Sequence, residues 1–86
     1  MLRLIYFSAA WCGPCRSFGP TVDSVASLSP NLEYFKIDVD KNREMAERYG
    51  VSSVPTIVLE KHGAVVARKS GAVPASALTQ MIQSHA

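Results

Sequence analysis

Cysteine is scarce in this chain: it holds two, Cys12 and Cys15. Two cysteines cannot supply the dense disulfide framework of a small secreted domain. Histidine is equally scarce, at His62 and His85. A structural zinc site needs four ligands. These two imidazoles are far apart in sequence and lack the spacing of a metal-binding pair, so no metal is expected. No sign of charge dominates, since nine basic and seven acidic side chains leave a formal net charge of +2. They are scattered and often adjacent, as in Asp40-Lys41 and Glu47-Arg48. With no basic stripe and no aromatic ladder, nucleic acid is not an expected partner. No apolar run is long enough to span a membrane. No internal repeat and no linker divides the chain. One domain over residues 1–86 follows, near the lower end of what folds around a single core. The 48% of hydrophobic residues is enough to build that core. No secretory signal is recognisable, so a reducing cytoplasm is the expected compartment.

What the chain does have is Trp11-Cys12-Gly13-Pro14-Cys15. The uncharged run Leu4-Ile5-Tyr6-Phe7-Ser8-Ala9-Ala10 leads into it, and helical spacing at Phe18, Val22, Val25 and Ala26 follows it. The pair therefore sits where a strand ends and a helix begins. A helix start has unpaired N–H groups and the positive end of the macrodipole. A thiolate placed there is stabilised, and the thiolate is the reactive form. Cys12, at the mouth of the turn, is the candidate nucleophile, and Cys15, one turn in, can close a disulfide with it. Three plainer readings compete. A structural bridge over so short a loop constrains the unfolded chain little. Half a zinc site lacks its other ligands. A lipid-attachment cysteine would follow a small residue, not Trp11. Redox chemistry is the reading that survives.

The remaining elements come from pattern. Leu2 to Phe7 is almost purely apolar, as in a strand buried on both faces. A helix is predicted from about Gly13 to about Leu28, interrupted at Pro20. Leu32 to Val39 reads as a second strand, which makes a β-α-β unit with parallel strands. Asp40 or Asn42 starts a short helix through Tyr49, and Gly50 suits its left-handed end. Ile57 to Glu60 and Val65 to Lys69 read as strands joined by a hairpin at Lys61-His62-Gly63-Ala64. Pro74 opens a last helix with a buried stripe at Leu78, Met81 and Ile82. Both histidines read as surface residues.

The five-residue motif resembles the active site of the thioredoxin family, and the likeness runs on. Pro20 matches the kinking proline of the first helix. Lys36-Ile37-Asp38-Val39-Asp40-Lys41-Asn42 is similar to the family's central strand and its exit. Tyr49-Gly50-Val51 with Val54-Pro55-Thr56 is similar to the cis-proline stretch, and Gly71-Ala72 to the glycine region before the last helix. The resemblance implies an α/β thioredoxin-like fold. Its core would be a minimal βαβ-α-ββα arrangement, a four-stranded mixed sheet in the order two, one, three, four with three helices. Thioredoxins usually carry a further strand and helix before the core strand. Without that unit the sheet face over Asn42 to Tyr49 is expected to expose more apolar surface. Stability should then be modest, in a monomer prone at most to weak self-association.

The resemblance also implies a reaction. Cys12 attacks a disulfide in a partner protein and Cys15 resolves the mixed disulfide. Trp11, Gly13, Pro14, the Val54-Pro55 segment and Gly71-Ala72 form the docking surface. No bound cofactor is needed, and electrons come from a flavoenzyme of the thioredoxin-reductase type. Gly-Pro between the cysteines resembles reducing members of the family, at about −270 mV. Two other readings remain: a glutaredoxin-like donor for ribonucleotide reductase, and a binding module whose thiols are dispensable. Against the first, no paired glycine and aspartate follow Pro55. One position departs from the family. Tyr6 stands where a buried aspartate usually assists the second cysteine, and Ser8 stands where a tryptophan is usual. Lys36 matches the lysine that accompanies that aspartate, so the phenol oxygen is expected to be its only neighbour. The plain alternative is that Tyr6 only fills core volume.

Overall fold

The apolar run after Met1 becomes β1 (Leu2–Ser8), the second strand from one edge of a four-stranded sheet. The computed structural model describes residues 1–86. After β1 come α1 (Gly13–Ser27), β2 (Leu32–Asp38), α2 (Arg43–Arg48), β3 (Thr56–Lys61), β4 (Ala64–Ser70) and α3 (Ala75–Ser84). The sheet order is β2-β1-β3-β4, with β2 parallel to β1 and both remaining pairings antiparallel. This is the expected mixed sheet and the expected element order.

A strand covered on both faces is apolar at consecutive positions. Leu4, Ile5 and Phe7 are fully buried, and Tyr6 is 2% exposed. Leu2, Leu4 and Tyr6 join Ile57 and Leu59 on one face, beneath Phe18, Val22 and Val25 of α1 and Leu78 and Ile82 of α3. Ile5, Phe7 and Val58 form the other face, packed by Ile37, Val39, Met45, Tyr49, Val51 and Val54. The two faces of β2 divide in the same way. Leu32 and Tyr34 belong to the α1 side, and Ile37 to the α2 side.

The α2 face is less open than the sequence suggests. Its three central residues, Ile5, Phe7 and Val58, have no exposed surface. Tyr49 packs its ring 5.8 Å from that of Phe7 and donates its hydroxyl to Glu60 Oε2 at 2.8 Å. Arg3 lies 5.3 Å over the ring of Phe35 and stands 3.7 Å from both Glu33 and Glu60. Long side chains thus cover what a short helix does not. The large apolar residues left exposed on this face are Phe35 and Val65.

Boundaries shift for local reasons. The helix α2 stops at Arg48, and Tyr49 serves as its C-cap. Asn42 occupies the N-cap without a side-chain bond; Asp38 Oδ1 instead accepts the N–H of Asp40 at 2.9 Å. His62 and Gly63 both take positive φ, at 55° and 81°. That pair of values is what a two-residue hairpin turn requires. The helix α1 runs through Pro20. The missing N–H there leaves the Arg16 carbonyl without its usual helical donor. Of the two histidines, His62 is exposed and His85 half-buried.

Candidate redox site

Where β1 ends, the N–H of Cys12 donates to the Ala9 carbonyl at 3.1 Å, which turns the chain into α1. Cys12 is the N-cap residue, in extended conformation, and Gly13 and Pro14 begin the helix. Proline fits there because the first helical N–H groups have no intrahelical acceptor. Cys12 and Cys15 are joined as a disulfide, with Cα atoms 5.3 Å apart. The backbone N–H of Cys15 donates to Cys12 Sγ at 3.2 Å. A donor aimed at Cys12, added to the helix N-terminus, favours negative charge on that sulfur. Exposure does not separate the two cysteines, at 3% for Cys12 and 7% for Cys15. The electrostatic setting does.

Around the disulfide the fold gathers residues from three separate stretches. Val39 and Val54 pack against Ala9, Cys12 and Cys15. Trp11 is 68% exposed and donates its indole N–H to Asp40 Oδ2 at 2.7 Å. That bond stands the ring up beside a cleft of 100 Å³ lined by Trp11, Val39, Val51, Ser52, Ser53 and Val54. The Val54–Pro55 peptide is cis. Gly71, with φ of 88°, donates its N–H to the Pro55 carbonyl at 2.8 Å, which ties the stretch before α3 to the same wall. Gly13, Pro14 and Ala72 are exposed nearby in sequence. Asp40, Val39, Ser52 and Ser53 were not singled out as site residues from sequence. The one available signal was that Asp40 directly follows the second strand on the side where the first strand delivers the cysteines.

Behind the pair stands Tyr6. Its ring meets Phe18 edge-on at 5.8 Å, and its hydroxyl donates to the Cys15 carbonyl at 3.3 Å. Burial, and then the charge of Asp23, push its ionisation above the ordinary phenol value. Lys36 is not left with the phenol as its only neighbour. Although Lys36 is the register partner of Tyr6, its Nζ reaches Asp23 Oδ2 at 3.3 Å. The other oxygen of Asp23 accepts the Tyr34 hydroxyl at 2.6 Å. The hydrogen bond from Tyr34, with Lys36 adding to it, holds the Asp23 carboxyl below the usual carboxylate range. Burial and the Asp23 bond together push Tyr34 far above the usual phenol range. The α1 helix thus brings an acid that sequence comparison with the core strand did not reveal.

No group of three or more His, Cys, Asp or Glu side chains is placed to hold a metal ion. No helix is long and apolar enough to cross a membrane.

The comparisons with known proteins agree with this geometry. The thioredoxin family model matches residues 1–84. A thioredoxin of Chlamydia pneumoniae is 44% identical over 85 residues, which is 99% of this chain and 83% of that protein. A Streptomyces coelicolor relative is 40% identical over 79 residues; this chain spans 59% of its length, while the match covers 92% of this chain. The X-ray structure of Fasciola hepatica thioredoxin superposes with a TM-score of 0.92 at 42% identity, over 99% of this chain and 81% of that one.

Proposed function

This chain belongs to the thioredoxin family, and from that premise we propose that it is a reductant of protein disulfides in which Cys12 attacks and Cys15 resolves. Members of the family are thiol–disulfide oxidoreductases that act on disulfide substrates and are re-reduced by thioredoxin reductase. The observation that carries the assignment of roles is the bond from the Cys15 N–H to Cys12 Sγ at the start of α1.

In the reduced protein the Cys12 thiolate attacks one sulfur of a substrate disulfide. The substrate S–S bond breaks, a Cys12–substrate disulfide forms, and the departing thiolate takes up a proton. Cys15 then loses its proton and attacks Cys12 Sγ. The second substrate thiolate leaves, and the Cys12–Cys15 bond holds the oxidised state. Two electrons have passed to the substrate. A flavoenzyme of the thioredoxin-reductase type returns them, and no bound cofactor takes part. The apolar wall of Trp11 and Val54, with Gly13, Pro14, Pro55, Gly71 and Ala72 around the disulfide, receives the substrate backbone. Tyr6 tunes the site through its hydroxyl on the Cys15 carbonyl, and Lys36, its register partner, pairs with Asp23.

Trapping tests the roles. A Cys15→Ser variant should accumulate mixed disulfides on Cys12, identified by mass spectrometry, whereas the wild type should turn over with NADPH and a thioredoxin reductase and not with glutathione alone. Faster alkylation of Cys15 than of Cys12, with nothing trapped, would reverse the assignment. A measured potential above about −200 mV would remove the reductant reading, since it would place the protein among isomerases and oxidants.

A further inference from the structure

Two edges bound the sheet, β2 and β4, and they differ. Native edges are commonly blunted by bulges and by charged side chains. The β4 edge is blunted in both ways. Its pairing with β3 skips Val66, and Arg68 and Lys69 stand side by side on it. The β2 strand pairs with β1 without a slip and holds no proline. Its one lysine, Lys36, is paired with Asp23 at 3.3 Å. The open backbone groups of β2 follow from its pairing. The Val39 N–H donates to the Ser8 carbonyl at 2.9 Å, so the odd-numbered residues of β2 aim their backbone groups at β1. Tyr34 and Lys36 aim theirs outward, and neither the N–H nor the C=O of either has a partner in the chain. Such an edge is a template for another strand.

This edge is complementary to itself. Opposed residues of an antiparallel pair lie on the same side of the sheet, so a twofold axis joining two copies of β2 must pass through a residue. Through Lys36 it would oppose two lysines. Through Tyr34 it would bring together two Asp23 carboxylates, each held on its own Tyr34. Through Phe35 it pairs every residue from Leu32 to Asp38. Tyr34 of each copy then exchanges backbone hydrogen bonds with Lys36 of the other. The two Phe35 rings meet at a position without hydrogen bonds, where side chains come closest. Phe35 is 41% exposed and otherwise has only Arg3 over its ring. On the opposite face each Lys36 arrives beside the Tyr34–Asp23 pair of the other copy, so opposite charges alternate along the seam. We propose that two copies of this chain join antiparallel along β2, about an axis through Phe35, and merge their four-stranded sheets into one. Neither cysteine is part of the seam, and the antiparallel arrangement sets the two disulfides toward its opposite ends. One strand from each side falls short of the roughly 1,200 Å² of a stable complex, so the dissociation constant should be on the order of 0.1 mM.

Sedimentation equilibrium of the intact oxidised chain, from about 10 µM to about 1 mM, brackets that constant. Both cysteines are paired in this state, so no free thiol links two chains. A monomer–dimer equilibrium is expected. Phe35→Glu and Phe35→Lys should each weaken it about tenfold, since like charges then meet on the axis and the ring pair is lost. An equimolar mixture of the two should recover dimer, because residue 35 meets residue 35. Phe35 is exposed, so both variants should fold. Amide exchange gives a second readout. Tyr34 and Lys36 should exchange more slowly as concentration rises, while Phe35 and Ile37, bonded to β1, should not change. A monomer throughout would overturn the proposal and leave the edge to an extended segment of a different protein. Tighter association of Phe35→Lys alone would set Glu33 opposite residue 35 and overturn the axis. A mixture no better than either variant, or protection that rises in β4 instead of β2, would overturn the seam.

Discussion

The hydroxyl of Tyr6 donates to the backbone carbonyl of Cys15 at 3.3 Å. The residue behind the second cysteine therefore holds that turn of α1 in place and offers its sulfur no base. A phenol whose ionisation is pushed above its ordinary range stays protonated near neutral pH.

The consequence is kinetic. Attack by Cys12 should proceed normally, while Cys15 resolves the mixed disulfide slowly near neutral pH and faster toward pH 9. Tyr6→Asp should raise the resolution rate at pH 7 by about a hundredfold, the low side of what a placed base provides. It should also cost stability, because it buries a carboxylate beside the charge of Asp23. Single-turnover reduction of a model protein disulfide from pH 6 to 9 measures this. Equal resolution in both proteins across that range would mean that water or another group already accepts the proton.

Tyr6→Phe keeps the edge-on contact with Phe18 and removes only the hydroxyl. The Cys15 carbonyl remains inside the helix, so the expected loss is about 0.5–1.5 kcal/mol. Urea denaturation decides it. A loss near the 3–5 kcal/mol typical of aromatic truncation would mean that the ring itself had shifted.

The Asp23–Tyr34–Lys36 cluster predicts a two-sided pH dependence. The Asp23 carboxyl titrates below its unfolded value in the folded protein. Its contribution is therefore complete above an unfolded value of about 3.9 and is lost as pH falls through the lower folded one. Tyr34 titrates above its unfolded value. Its contribution is present below about pH 10 and is lost as pH rises through the folded value. Because the Asp23 side chain is 46% exposed, the acid-side effect should stay within about 1 kcal/mol. Asp23→Asn should flatten the acid limb of a Tm-versus-pH curve, and Tyr34→Phe should reduce the alkaline limb, to which Tyr6 and Tyr49, also raised, still contribute. A wild-type acid limb retained in Asp23→Asn would place the titrating group elsewhere.

Trp11 is the only tryptophan, and Asp40 holds its indole at 2.7 Å. Asp40→Ala should release the ring and raise KM for protein substrates about threefold to tenfold, with kcat little changed. Reduction of a small disulfide, which does not need the wall, should be unaffected. Tryptophan anisotropy reads the freed ring directly. An unchanged anisotropy would show that packing against the cleft, and not Asp40, sets the ring.

Glu60 is buried on the α2 face, yet its Oε1 has no hydrogen bond and relies on Arg3 at 3.7 Å. Arg3→Met should destabilise by about 1–3 kcal/mol, because it leaves a buried carboxylate with Tyr49 alone. Adding Glu60→Gln should restore most of that loss. Additive losses in the double variant would rule out coupling through the charge.

The local features of this protein were legible in its sequence. The strand-to-helix position of Cys12 and Cys15 follows from an apolar run, a Gly-Pro helix start and the spacing of Phe18, Val22 and Val25, all within one stretch of chain. The hairpin at His62-Gly63 and the order of elements follow in the same way, because turn chemistry and hydrophobic period act over a few residues. What only the tertiary structure decided are contacts between elements. Lys36 and Tyr6 are neighbours in register, but the lysine reaches up to a helix and finds Asp23 there. Trp11 finds Asp40 across 29 residues. Arg3, Phe35, Tyr49 and Glu60 close a sheet face that the sequence left open. Side-chain direction and reach in three dimensions set these partners, and one-dimensional spacing carries neither.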